Sequence, residues 1–336
     1  MIEAPAWVVF VLSGSIVVLA GIRLARDGDA IAERTGLGSA WVGAVLVAGA
    51  TSLPEFLTNA FAVRQGHAGL AIGGLLGANM ANMLILAVAD LALRNQRILR
   101  RVAVDLNLVG QLAIALTAIA AAGILTDGEF STFGLGWAPL VAAGSYLGGM
   151  RLLHANRPKP LRAEDVEAAV RAGLFSSPRR DLLRPGLGFG AATLALLVAA
   201  PSLAESSVAV ADQLGVSTGV VGVALLAVVT TLPEVSVTVA SLRARSYDLA
   251  VGNLLGSSCF NMALLLPLDL LDGGGPLLSS AGPSALVAAL FAIVLISQTL
   301  VEVLNVAEQR VWWIEPDAAL RIATYAFGIA FVIRVG

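Results

Sequence analysis

Thr51-Ser52-Leu53-Pro54-Glu55 decides the fold, because the chain writes it again as Thr230-Thr231-Leu232-Pro233-Glu234. The second copy lies 179 positions after the first, and the offset holds without a gap from Gly43 and Gly222 to Leu91 and Leu270. In the same register Gly73-Gly74-Leu75-Leu76-Gly77-Ala78-Asn79-Met80-Ala81-Asn82 faces Gly252-Asn253-Leu254-Leu255-Gly256-Ser257-Ser258-Cys259-Phe260-Asn261. Each copy sets a glutamate and a proline inside an apolar run of membrane-spanning length. A carboxylate at that depth is costly and marks an ion or proton path. Two such helices in matching halves place a transport site between the repeats.

Composition agrees. Of 336 residues, 57% are hydrophobic and 13% charged, with a mean hydropathy of +0.85. Soluble domains carry about twice that charge fraction, so the chain reads as a polytopic membrane protein. The net charge of −2 says nothing about partners. The lone Cys259 excludes a disulfide framework and a cysteine-based metal cluster. Met1 to Pro5 lacks the basic start of a signal peptide, so the first apolar run is expected to be retained.

Runs of about 20 apolar residues cross a bilayer as helices. They fall at about 6–25, 40–63, 69–92, 103–124, 135–153, 187–210, 219–242, 248–271, 284–304 and 318–334. The expected fold is an all-α membrane protein of ten transmembrane helices in two inverted five-helix repeats. The first repeat is 1–153 (motif about 43–91) and the second 187–336 (motif about 222–270). Between them, 154–186 is a hinge loop with a short surface helix around Arg162–Ala172. Five spans per half is odd, so the second copy enters the membrane inverted.

Arginines set the orientation. With both termini outside and the central loop cytoplasmic, 19 of the 21 Lys and Arg lie inside, leaving Arg64 and Arg334 outside. Arg243, Arg245, Arg310 and Arg321 count among the inside set. The expected location is the cell membrane, multi-pass.

The motif residues supply hard oxygen. Thr51 and Glu55 share a helical face, with Ser52 one step round it. Pro54 has no N–H, so the Ala50 carbonyl loses its partner and the helix kinks or opens; Pro233 does the same for Val229. Hydroxyls, freed carbonyls and two carboxylates form the ligand set of a hard divalent cation such as Ca2+. No histidine or cysteine pair favours a softer metal. No Arg or Lys inside a span is placed to neutralise Glu55 or Glu234, so the site must carry ions or protons to change state.

Gly73 and Gly77, with Gly252 and Gly256, form small-xxx-small faces suited to close packing. Asn82 and Asn261 need partners in mid-span, in the core or along the ion path. Cys259 reads as core. Asp90 and Asp269 are expected to face water or cap a helix, and Gln298, Glu302 and Asn305 to be exposed near the inner end of their span. Asp105, Asn107 and Gln111 are expected to support the bundle.

These residues resemble the α-repeats of the Ca2+/cation antiporter superfamily, most closely the sodium/calcium exchangers and their bacterial relatives. The resemblance implies that Glu55 and Glu234 are the principal Ca2+ ligands, with Thr51 and Thr230. It places Ser52 and Thr231 in flanking Na+ sites, adds backbone carbonyls near Ala48 and Ala227, and matches Ser257 to the family serine. Three departures stand out: Ala78 replaces the serine of the first repeat, Gly74 its asparagine, and Ser258 the asparagine of the second Gly-Ser-Asn. Asparagine also occupies both 82 and 261, where some relatives carry an aspartate.

The reading is a secondary antiporter, not an enzyme, that exports Ca2+ against Na+ by alternating access. It has no cofactor and no nucleic-acid or protein partner, the lipid bilayer being its surroundings. Exchange of Ca2+, Mn2+ or another divalent against H+ stays open, as does a passive divalent channel. An intramembrane aspartyl protease lacks its Tyr-Asp and Gly-x-Gly-Asp contexts here.

Overall fold

The computed structural model describes residues 5–92, 99, 105–126, 131–132, 134–155, 182–213, 230–273, 275–304 and 316–336. The apolar runs become helices because a bilayer offers backbone groups no partners but one another. In the first half these are α1 (Ala6–Thr35), α2 (Ser39–Arg64), α3 (Ala68–Ala92), α4 (Asp105–Thr126) and α5 (Trp137–Ala155). In the second they are α6 (Leu183–Gln213), α7 (Leu232–Arg243), α8 (Tyr247–Asp272), α9 (Pro283–Leu304) and α10 (Pro316–Val335). Among the described residues, 8 are long and apolar enough to span a membrane, α5 and α7 being the exceptions. The chain is thus an all-α membrane protein. A two-residue hairpin, Ser131–Thr132 against Leu135–Gly136, joins α4 to α5.

Span ends depart from the apolar runs where polar residues find shelter. α1 continues to Thr35 because Arg23 and Asp27 pair at 2.6 Å one turn apart. Asp27 is buried against α6, where a Cβ at Gly188 would collide with its carboxylate. α6 likewise starts at Leu183 and runs through Pro201 to Gln213. The expected surface helix at Arg162–Ala172 lies outside the described residues.

The two prolines end up differently. In α2 the helix stays α-helical from Ala48 to Arg64 straight through Pro54, contrary to the expected opening there. The irregularity sits upstream, in a π-helical turn at Val42–Val47. Such a widened turn absorbs an extra residue without breaking the helix. In α7 the regular helix starts at Leu232, after Thr231 at φ −88° and ψ 5°. Pro233 then falls in the first turn, where a missing N–H loses no helical bond.

Two apolar cores hold the helices. Ile72, Leu75, Leu106, Leu116, Leu254 and Leu295 belong to one that joins α3, α4, α8 and α9. Val17, Leu24, Leu196 and Val237 belong to the other, which joins α1, α6 and α7. α8 threads the middle, and its glycines bring it onto the start of α2. A Cβ at Gly252 would lie 2.8 Å from the Ala40 carbonyl, and one at Gly256 would strike the backbone of Ala44. Close packing is therefore what these two glycines do. Around Gly73 and Gly77 no described atom comes within 4 Å of such a Cβ. The segment that the offset assigns to them, 219–223, lies outside the described residues.

Candidate functional site

Helices α2, α3, α7 and α8 bring the two motif copies into contact. Thr51, fully buried, has its hydroxyl 3.2 Å from the Ala48 carbonyl, 3.2 Å from Asn253 Oδ1 and 3.3 Å from Ser257 Oγ. One proton cannot satisfy three oxygens, so this corner holds surplus lone pairs. The side chain of Glu234 lies beside Thr51, and that of Glu55 beside Asn261. The two carboxylates are close enough for their charges to interact.

A ladder of amides crosses from α3 to α8. Asn79 Nδ2 donates to the Ser258 carbonyl at 3.2 Å, Asn82 Nδ2 to Ser258 Oγ at 3.4 Å, and Asn261 Nδ2 to Asn79 Oδ1 at 3.1 Å. Each donor is used within the ladder, and the side-chain oxygens of Asn82 and Asn261 are left without a donor. Ser52 Oγ, Glu55 Oε2, Asn82 Oδ1, Asn261 Oδ1 and both carboxylate oxygens of Glu234 are buried without a hydrogen-bond partner. Buried polar atoms are normally satisfied, and a cluster of unsatisfied oxygens is the complement of a cation. Among the described residues no three His, Cys, Asp or Glu side chains group so as to hold a metal ion; the other unsatisfied oxygens here are hydroxyl and amide.

The expected site residues are distributed as follows. Glu55, Glu234, Thr51, Ser257, Asn82 and Asn261 come together, and Ser52 is buried next to Thr51 in α2. Thr231 is buried at the start of α7, where its carbonyl accepts from Val235 N at 3.0 Å. Thr230, which precedes it, is half-buried. Ala48 is fully buried and its carbonyl is engaged by Thr51. Ala227 lies outside the described residues. Sequence reasoning passed over Asn79 and Asn253, both fully buried. They stand in columns where the copies differ, Asn79 against Ser258 and Gly74 against Asn253, so matching the copies hid them. An uncharged amide in mid-span was the available signal.

Asp90, Glu302, Arg321 and Gln111 need correction. Asp90 does not face water: it is 2% exposed, and Arg321 reaches it at 3.3 Å. Glu302, expected to be exposed, is 2.6 Å from the same guanidinium. Arg321, counted as an orientation signal, is fully buried as the cation between them. A buried ion needs a counter-ion more than it needs water at this depth, and α3, α9 and α10 meet here to supply it. Asp269 is also buried, at 2% exposure, and caps the backbone N–H groups of Gly136 at 2.9 Å and Leu277 at 2.6 Å. Gln111 is exposed and bonds Asn107 one turn away at 3.5 Å, so it adds nothing to the bundle interior. Cys259 is core, as expected, its thiol 3.4 Å from the Val109 carbonyl.

The profile of the family described as "Sodium/calcium exchanger protein" matches residues 5–147 and 185–334, most of the chain. Among curated proteins, the putative antiporter CaxA of Alkalimonas amylolytica is 26% identical over 306 residues, covering 87% of this chain and 90% of that protein. The inner membrane protein YrbG of Escherichia coli is 28% identical, over 83% of this chain and 85% of its own. The sodium/calcium exchanger MaX1 of Methanosarcina acetivorans is 27% identical, over 73% and 76%. Among solved structures, the sodium-calcium exchanger NCX_Mj soaked with Na+ and Sr2+ superposes with a TM-score of 0.73 at 20% identity, covering 98% of this chain and 99% of that one. That likeness is one of fold.

Proposed function

Because the chain belongs to the sodium/calcium exchanger protein family and is a membrane cation antiporter, we propose that it exports Ca2+ in exchange for Na+ by alternating access. The ions bind near the bilayer midplane between two inverted five-helix halves, ten spans in all. Glu55, Glu234, Thr51 and Thr230 hold Ca2+. Ser52, Thr231, Ser257 and the carbonyls of Ala48 and Ala227 form the flanking Na+ positions, with Asn82 and Asn261 turning oxygens toward them. Both termini lie outside and residues 154–186 in the cytoplasm.

One observation carries this reading: Ser52, Glu55, Asn82, Glu234 and Asn261, drawn from both motif copies, each bury an oxygen that no hydrogen bond satisfies. Two carboxylates there repel each other when empty, so the site favours movement only when filled. The inverted arrangement is supported by Asn79, which meets Ser258, its own counterpart 179 residues on. A residue touches its repeat-mate where the axis relating the halves passes.

A second reading, exchange of a divalent cation for H+, is favoured by Ala78, which brings a methyl group where the family resemblance expects a serine oxygen. Uptake of 45Ca2+ into proteoliposomes separates the readings. Uptake that requires internal Na+ supports Na+ exchange. Uptake driven by a pH gradient without Na+ assigns the glutamates to proton coupling. Uptake with neither is a channel and ends the antiport reading.

A further inference from the structure

Among the described residues, three buried hydroxyls have no hydrogen-bond partner: Ser52, Thr238 and Ser241. Ser52 belongs to the site above. Thr238 and Ser241 do not, and they are 0% and 1% exposed. Hydroxyls in a helix ordinarily return their proton to the carbonyl one turn back. Ser236 does so to Leu232 at 2.7 Å, Thr117 to Ala113 at 2.7 Å and Thr299 to Leu295 at 3.0 Å. Thr238 and Ser241 break that habit in the same helix as Glu234.

Their positions are ordered. Glu234, Thr238 and Ser241 follow one another at i, i+4 and i+7, one stripe on a helix. α1 packs on a different face: a Cβ at Gly21 would clash with Ser236 and approach the backbone of Val237, and that face lies roughly a third of a turn from the stripe. From Glu234 the stripe runs to the Arg243 end of α7. There Ser246 N bonds the Ser241 carbonyl at 2.9 Å, and Ser246 Oγ donates to Asp29 at 2.6 Å. Ser39 Oγ approaches the same Asp29 oxygen at 3.3 Å. The rise from Glu234 to Arg243 at the helix end is about 14 Å, nearly half the roughly 30 Å hydrocarbon thickness.

We propose that Thr238 and Ser241 line the half-path by which the transported cation travels between Glu234 and the membrane face at the Arg243 end. Their oxygens replace part of the hydration shell of a hard cation, one turn and two turns from the carboxylate. The Asp29–Ser39–Ser246 bonds close the far end. This assignment rests on the ion-exchange reading and extends it to a pathway. The first-repeat counterparts are Asn59 and Ala62, so the two half-paths carry different oxygens.

Thiol labelling tests it, made clean by the single native cysteine. In a Cys259→Ala background under exchange conditions, Thr238→Cys and Ser241→Cys are exposed to a small cationic methanethiosulfonate, with Val237→Cys as the packed control. The expected result is modification at least about ten-fold faster than the control, with loss of exchange. Modification no faster than the control overturns the proposal. A second arm uses Thr238→Val with Ser241→Ala. Exchange is expected to fall about ten-fold while equilibrium Ca2+ binding in detergent stays within roughly two-fold; unchanged exchange overturns the proposal. Glu234→Gln in the same assay reports on the underlying reading: retained exchange there defeats the antiport site itself, whereas lost exchange beside an unaffected double variant defeats only the path.

Discussion

Helices α2 and α3 and helices α7 and α8 start from one sequence pattern and arrive at two environments. Glu234 is 1% exposed, while its counterpart Glu55 is only half-buried. Gly252 and Gly256 sit against the backbone of Ala40 and Ala44, whereas no described atom comes within 4 Å of a Cβ at their counterparts Gly73 and Gly77. Past the glutamate, α7 continues with buried Thr238 and Ser241, and α2 with half-buried Asn59 and Ala62. The two glutamates are identical in both copies and are the proposed ion ligands. The differing columns govern how each half is packed and reached, which is what an exchanger built from two copies needs if its two sides are not to behave alike.

The sharpest attack on that comparison is the carboxylates. Glu55→Gln and Glu234→Gln keep size and shape and remove charge, and each is expected to lower divalent exchange by more than about a hundred-fold, since either loss leaves one carboxylate to hold a divalent ion. Wild-type flux from either variant in proteoliposomes removes that glutamate from the site. Next is the buried ion triad, which ties Asp90 of the first half to Glu302 and Arg321 of the second. Asp90→Asn or Arg321→Gln is expected to cost about 3–5 kcal/mol, because each strands a partner in a dry interior. Thermal unfolding in detergent reads this as a clear drop in Tm, and an unchanged Tm means the charges are solvated.

Smaller effects refine the picture. Thr51 touches three oxygens in the site, so Thr51→Val is expected to weaken Ca2+ binding roughly ten-fold. Thr230→Val should do less if the two copies are as unequal as their burial implies; equal losses by titration restore symmetry between them. Smallest of all, Ala78→Ser is expected to raise Na+ dependence a few-fold, about 1 kcal/mol for one added oxygen. An unaltered Na+ response removes Ala78 from any account of the counter-ion.

The duplicated motif made the repeat, the helical class and the central glutamates readable from sequence, because identity at a fixed offset survives without knowledge of contacts. The same device concealed Asn79 and Asn253, which matter because they differ from their counterparts. Arg321 misled for another reason. Orientation is inferred from charge near span ends, and nothing local marks an arginine whose acids come from α3 and α9. Pro54 misled in a third way: loss of one N–H was expected to kink or open the helix at that spot, yet the chain stays α-helical from Ala48 to Arg64 and the wide turn lies earlier, at Val42–Val47. Asp27 extended α1 past its apolar run by the same kind of non-local shelter, under Gly188 of α6.

The triad also bears on how the protein is made. Asp90 and Arg321 are 231 residues apart, so the ribosome inserts the aspartate long before its cation exists. Until α10 arrives, Asp90 lacks the Arg321 guanidinium that meets it in the folded protein. Expressed alone, the first half should be a substrate for quality-control proteolysis, and co-expression with the second half should rescue it.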